Sequence, residues 1–268
     1  MFSLSRLTRP KALAVCAAPV VALLAVACLA PLPFAVAQPG TTADVLGESG
    51  GKPVITITGA PTREPKGQLR MTTIVATGPD MDASLGDVLD GWFRTDRSVM
   101  PKDSVYPTGN NVKEVEKHNL GDMRESQDTA TKAALSYLAA NGVDGTGKVK
   151  VKVDLGKIGG PSAGLFLSLG IIDLIDGNGS GGDLTGGRKI AGTGTISAGG
   201  EVGPVGGVSM KTQAAKRDGA SVFLVPEDEC SDAQAELPKG LRLIPVTTLK
   251  GTVDALRALD RGGKVPSC

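Results

Sequence analysis

Among the side chains of this sequence, Ser162 is the best placed to do chemistry. It stands in Gly159-Gly160-Pro161-Ser162-Ala163-Gly164, directly ahead of the apolar run from Leu165 to Ile175. Proline suits the first turn of a helix, because its missing N–H would lack a partner there anyway. The remaining first-turn amides, helped by the helix dipole, make a site for an oxyanion. Gly160 and Gly164 would let a substrate backbone come close. A serine so placed attacks a carbonyl once a base takes its proton. Two residues are candidates for that base. His118, the single histidine, lies in the charged stretch Glu114–Leu120 (EVEKHNL), which reads as a solvated surface and gives a Ser-His-Asp triad little support. Lys211 falls in the predicted first turn of a helix capped by Ser209, where the dipole opposes a positive charge and burial would lower the pKa further. A plain surface lysine satisfies the same pattern. With one histidine and no CxxC, the sequence offers no metal site.

The elements that must position these residues read as an α+β order. Lys52–Thr58 and Gln68–Thr77 are β-rich and look like paired strands joined by a Pro/Gly loop. A short helix is predicted near Ser84–Trp92, followed by an extended, proline-containing stretch around Tyr106. A longer helix is predicted over 121–140, stopping at Gly142. Lys148–Val153 alternates strictly, as a half-solvated strand does. Leu165–Ile175 is apolar on nearly every face, which predicts a buried central helix. Lys189–Ile196 reads as a strand, Gly199-Gly200 as a hairpin turn, and Ser209 as the cap of a helix ending at Gly219. Strands at Ser221–Val225 and Leu241–Val246 and a helix over Leu249–Leu259 complete the order.

Composition bounds the possibilities. The chain has 268 residues, with 29 basic against 28 acidic, so no basic face for nucleic acid is indicated. Its 37 glycines are about twice ordinary usage, and 18 of them fall between Gly156 and Gly207. Arg6, Arg9 and Lys11 precede an uncharged run from Ala12 to Ala37, which reads as an export signal or a membrane anchor. Ala35-Val36-Ala37 fits a cleavage pattern and would release a secreted protein, whereas an uncleaved segment over residues 12–37 would hold it in the cell membrane. Cys28 only faintly matches a lipid-acylation site. Without residues 1–37, 26 basic residues stand against 28 acidic ones, and Cys230 and Cys268 are the two remaining cysteines. In an oxidising compartment these form a disulfide or stay as two thiols.

Three motifs in order carry a family resemblance. GGPSAG around Ser162, AGTGTIS at Ala191–Ser197 and GPVGGVSMK at Gly203–Lys211 resemble the proteolytic domain of Lon proteases. The resemblance implies the α+β fold of that domain, with small mixed sheets and packed helices, over residues 38–268. It makes Ser162 the nucleophile and Lys211 the general base of a Ser-Lys dyad, with Thr193 orienting the lysine. Gly160, Pro161, Ala163 and Gly164 then serve the oxyanion and the substrate backbone. The substrate is polypeptide, no cofactor is required, and a homo-oligomer is open, ring hexamers being a habit of the family.

Met123–Thr129 (MRESQDT) and the strands before it look like the start of the same domain, so 79–118 would be an insertion. Gly159-Gly160 departs from the acidic residue and glycine that many Lon enzymes carry there, and the loop Gly177–Gly182 lengthens the path to Lys211. Gly47–Lys52 (GESGGK) has the wrong spacing for a phosphate loop and is followed by Pro53. The chain therefore resembles the membrane-anchored, ATP-independent Lon-like proteases of bacteria, with only Asn141–Lys148 where several of those carry a PDZ domain. Two other classes remain: an inactive binding or assembly module on the same fold, and a small-molecule phosphotransferase with GGPSAG cradling phosphate.

Overall fold

A computed structural model describes residues 8–106 and 111–268, so Arg6 of the basic segment and Pro107 of the extended stretch lie outside the described residues. The elements in chain order are α1 (Arg9–Leu29), β1 (Phe34–Asp44), β2 (Glu48–Ser49), β3 (Lys52–Pro53), β4 (Ile55–Thr58), β5 (Gln68–Ala76), α2 (Leu85–Phe93) and β6 (Ser98–Pro101). Then come α3 (Lys102–Val105), α4 (Val112–Ala140), β7 (Lys150–Val153), α5 (Gly164–Ile175), β8 (Lys189–Gly192), β9 (Thr195–Ile196) and β10 (Val202–Gly203). The chain ends with α6 (Val208–Arg217), β11 (Val222–Pro226), α7 (Cys230–Gln234), β12 (Arg242–Val246) and α8 (Leu249–Asp260).

Six strands form the main sheet in the order β12-β11-β8-β5-β1-β6. The first three pairings are parallel and the last two antiparallel, so the fold is mixed α+β. The sheet is covered on both faces. In β11, Val222 and Leu224 join one apolar cluster while Phe223 and Val225 join the other. Burial on both sides explains why this strand is a continuous apolar run rather than an alternating one. On the larger side lies α5, buried from Gly164 through Asp173. Ser126, Ala130, Ala133 and Ala134 of α4 bring small side chains against it, and the Ser168 hydroxyl donates to the Ala130 carbonyl at 3.1 Å. Near the end of α5, buried Asp173 accepts the Leu184 N–H at 2.8 Å and pins the glycine-rich loop; burial pushes its carboxyl up to about 6.

Several expectations need correction. β4 and β5 are not partners: β4 pairs with β7, and β5 with β1 and β8. The helix expected from residue 121 begins at Val112, where the Asn111 side chain accepts the Glu114 N–H. Within 79–118, β6 extends the main sheet and 112–118 are the first two turns of α4. The boundary expected after Ala37 falls inside β1, where Ala35 and Ala37 are fully buried. Among the described residues no helix is long and apolar enough to cross a membrane. The helical part of the uncharged run ends at Leu29.

Candidate active site

Each proposed participant is held by a different element. Ser162 sits in a single 3-10 turn (Pro161–Ala163) immediately before α5. α4 fixes this turn from behind: the Asn119 carbonyl accepts the Gly160 N–H at 2.8 Å, and the Ser126 hydroxyl donates to the Pro161 carbonyl at 3.0 Å. The closeness explains Gly159. A Cβ there would lie 2.7 Å from the Cβ of Asn119, so α4 leaves no room for the acidic side chain expected by resemblance. Gly160 adopts φ +89° and a Cβ on it would meet open space, as an approach route for substrate requires. Gly164 is different. It is buried, and a Cβ there would lie 2.9 Å from Ile196 and 3.0 Å from the Ser126 hydroxyl. The absence of a side chain there lets α5 pack closely against Ile196 and Ser126. Ala163 is likewise fully buried.

Lys211 lies in the first turn of α6 and is 3% exposed. Its Nζ donates to the Thr193 hydroxyl at 3.0 Å, and that hydroxyl donates to the Ser162 carbonyl at 3.3 Å. Thr193, itself fully buried, thus bridges the lysine to the backbone of the serine. Burial lowers the Lys211 pKa from 10.5 to about 8, against the opposing pull of Glu229 and Asp232. A fraction of neutral amine is therefore present near neutrality, as a general base requires.

Ser209 is not the cap of α6. Gly207 occupies that position, and the carboxylate of Asp232 in α7 accepts the Val208 N–H at 2.8 Å and the Ser209 N–H at 3.4 Å. Cys230 of the same short helix is bonded to Cys268, with Cα atoms 5.5 Å apart, so the carboxyl terminus is fastened to the element that caps the lysine helix.

Ser162 and Lys211 line one cleft of about 760 Å³. Its walls come from Ile74 of β5, Met100 of β6, Ser104 of α3 and Val115 and Leu120 of α4. His118 is not among the lining residues; it is half exposed and faces Asp122 one turn along α4 at 3.4 Å. No triad is assembled.

A family model, the Lon protease (S16) C-terminal proteolytic domain, matches residues 98–257. The chain belongs to the Lon-type serine protease domain family. The match starts within 79–118 and takes in Ser162, Thr193 and Lys211. The Lon protease of Chloroflexus aggregans is 30% identical over 189 residues, covering 65% of this chain and 20% of that protein. The Lon protease of Azospirillum brasilense is 34% identical over 141 residues, covering 48% of this chain and 16% of its own. Lon protease 2 of Bacillus subtilis is 35% identical over 101 residues, 37% of this chain and 17% of its own. The chain thus spans a fifth or less of the length of these Lon proteins.

Within this Lon-type domain, three contributors escaped the sequence reading: Asp232 as the cap, Asn119 with Ser126 as the brace behind Ser162, and the cleft wall from residues 100–106 and 112–120. Asp232 had no local signal, since it lies 24 residues beyond the amide it caps. Asn119 could have been found by following the 3.6-residue period of α4 upstream of Gly121.

Proposed function

We propose that this domain is an ATP-independent serine endopeptidase that cuts extracytoplasmic polypeptide, with Ser162 as nucleophile and Lys211 as base. The observation that carries the reading is Lys211 itself: buried, its pKa lowered to about 8, and tied through Thr193 to the residue that shares its cleft. Neutral Lys211 takes the hydroxyl proton as Oγ of Ser162 attacks the scissile carbonyl. The Gly164 N–H is already taken by the Pro161 carbonyl. The oxyanion therefore falls to the amides of Ser162 and Ala163, which have no preceding helical carbonyl to bond. The lysine ammonium protonates the leaving amine, and water, deprotonated by Lys211, releases the acyl group from Ser162.

Other observations support the finer points. Gly47–Lys52 makes the tight β2–β3 hairpin with no helix after it, unlike a phosphate loop. The Cys230–Cys268 bond suits an oxidising compartment. The link from α4 to β7 is only a short turn at 141–149, where a presenting domain would otherwise enter. The Gly159 departure follows from the packing of α4, so it does not speak for an inactive module.

The test is cleavage of casein or a fluorogenic peptide by the full chain without nucleotide. Ser162→Ala and Lys211→Ala should each lower kcat/KM by about 10³-fold or more. Variants that cut as fast as the parent would rule out the dyad.

A further inference from the structure

In α2, the apolar residues Leu89, Trp92 and Phe93 are 42%, 74% and 86% exposed. Their i, i+3, i+4 spacing puts them on one stripe of the helix. The opposite flank is anchored by buried Val88 and Gly91, and Ser84 with Asp87 forms a capping box at the start, so the stripe is held outward by a well-defined element. Met81, 61% exposed, precedes it. A contiguous apolar surface of this kind marks an interaction site.

The neighbouring element indicates what covers it. α1 approaches α2, and its exit is fastened there by the Leu32–Ala83 bridge. α1 carries exposed apolar residues on several sides, with Leu13, Val20, Val21, Leu23, Leu24 and Val26 each more than half exposed. Whatever covers those residues of α1 also meets α2 at its base. A lipid bilayer does both, and tryptophan and phenylalanine at its boundary gain from burying a ring while staying near water. Charge does not supply the attraction: residues 81–103 hold five acidic and three basic side chains, and Arg94, Arg97 and Lys102 are each paired with an aspartate.

We propose that α2 rests in the interface of the bilayer, with Leu89, Trp92 and Phe93 inserted among the lipids, and that this contact is apolar rather than electrostatic. The proposal rests on the membrane-held reading of residues 12–37 and adds a second contact to it. Because β6 and α3, which line the cleft, follow α2 directly, the contact would bring Ser162 to polypeptide close to the membrane.

Trp92 is the only tryptophan in the chain, so its fluorescence reports α2 alone. The full chain is mixed with zwitterionic phosphatidylcholine vesicles and floated, and Trp92 emission is compared with plain and with brominated acyl chains. Flotation together with a blue shift and at least about twofold quenching by brominated lipid is the expected result. Adding an anionic lipid should change it little. Leu89→Glu with Phe93→Glu should abolish the quenching and leave peptide cleavage intact. If the chain floats but Trp92 stays open to aqueous iodide, α1 anchors the protein and the α2 contact is wrong. If the chain does not float, the membrane-held reading fails and the α2 contact with it. A blue shift that follows protein concentration without lipid would assign the stripe to a second copy instead.

Discussion

Burying Lys211 affects rate and stability in opposite ways. The pKa falls from 10.5 to about 8 because the site is poor in water. Between those values the unfolded chain holds a proton that the folded one has released, so stability rises with pH across that window. Below pH 8 the folded protein carries a buried charge at a penalty of about 3 kcal/mol. Lys211→Met should therefore raise the urea-unfolding free energy at pH 7 by about 1–3 kcal/mol, abolish cleavage, and lose its advantage toward pH 10. In the parent enzyme, activity should climb with pH through about 8, as neutral amine accumulates. A methionine variant no more stable than the parent at pH 7 would show that the lysine is not held under strain. In the sequence, the case for this residue as a base rests on its predicted first-turn position and on the GPVGGVSMK motif. The sequence around it, MKTQAAKR, gives no sign of burial, because the cover comes from other strands and from α7.

At the scale of elements, α6 is steadied from a distance. Asp232 accepts two of its first amides and its charge also favours the protonated form of Lys211. Asp232→Asn keeps an acceptor but loses the charge. It should cost α6 about 0.5–1 kcal/mol and move the midpoint of the pH–activity rise to lower pH. A midpoint that stays put or moves up would contradict that electrostatic role. The elements with strong local signals were readable: α5 from a stretch apolar on nearly every face and β7 from strict alternation. Those decided by tertiary partners were not. Nothing local distinguishes β4 pairing with β5 from β4 pairing with β7, and Ser209 looks like a cap until Asp232 is seen to fill that role.

At the scale of the whole molecule, the question is where the folded body begins. The uncharged run from Ala12 to Ala37 reads as one segment, but the structure divides it between α1 and the first four residues of β1. All four register pairs of β6 are with Phe34–Ala37, and Ala35 and Ala37 are buried completely. A chain beginning at Leu32 keeps these contacts. One beginning at Gln38, as cleavage after Ala37 would give, leaves β6 without its partner strand and frees the wall that carries Met100. The shorter chain should be less stable by more than about 2 kcal/mol in urea unfolding, from lost ladder bonds and emptied core positions. Its kcat/KM should fall as well, because the cleft opposite Ser162 loses its support. If both chains unfold at the same urea concentration and cut peptide equally fast, Phe34–Ala37 are dispensable, and Ala37 is then a workable site for release. If they differ as expected, release by cutting at Ala37 would damage the domain it frees, and an uncut α1 is the arrangement compatible with an intact cleft.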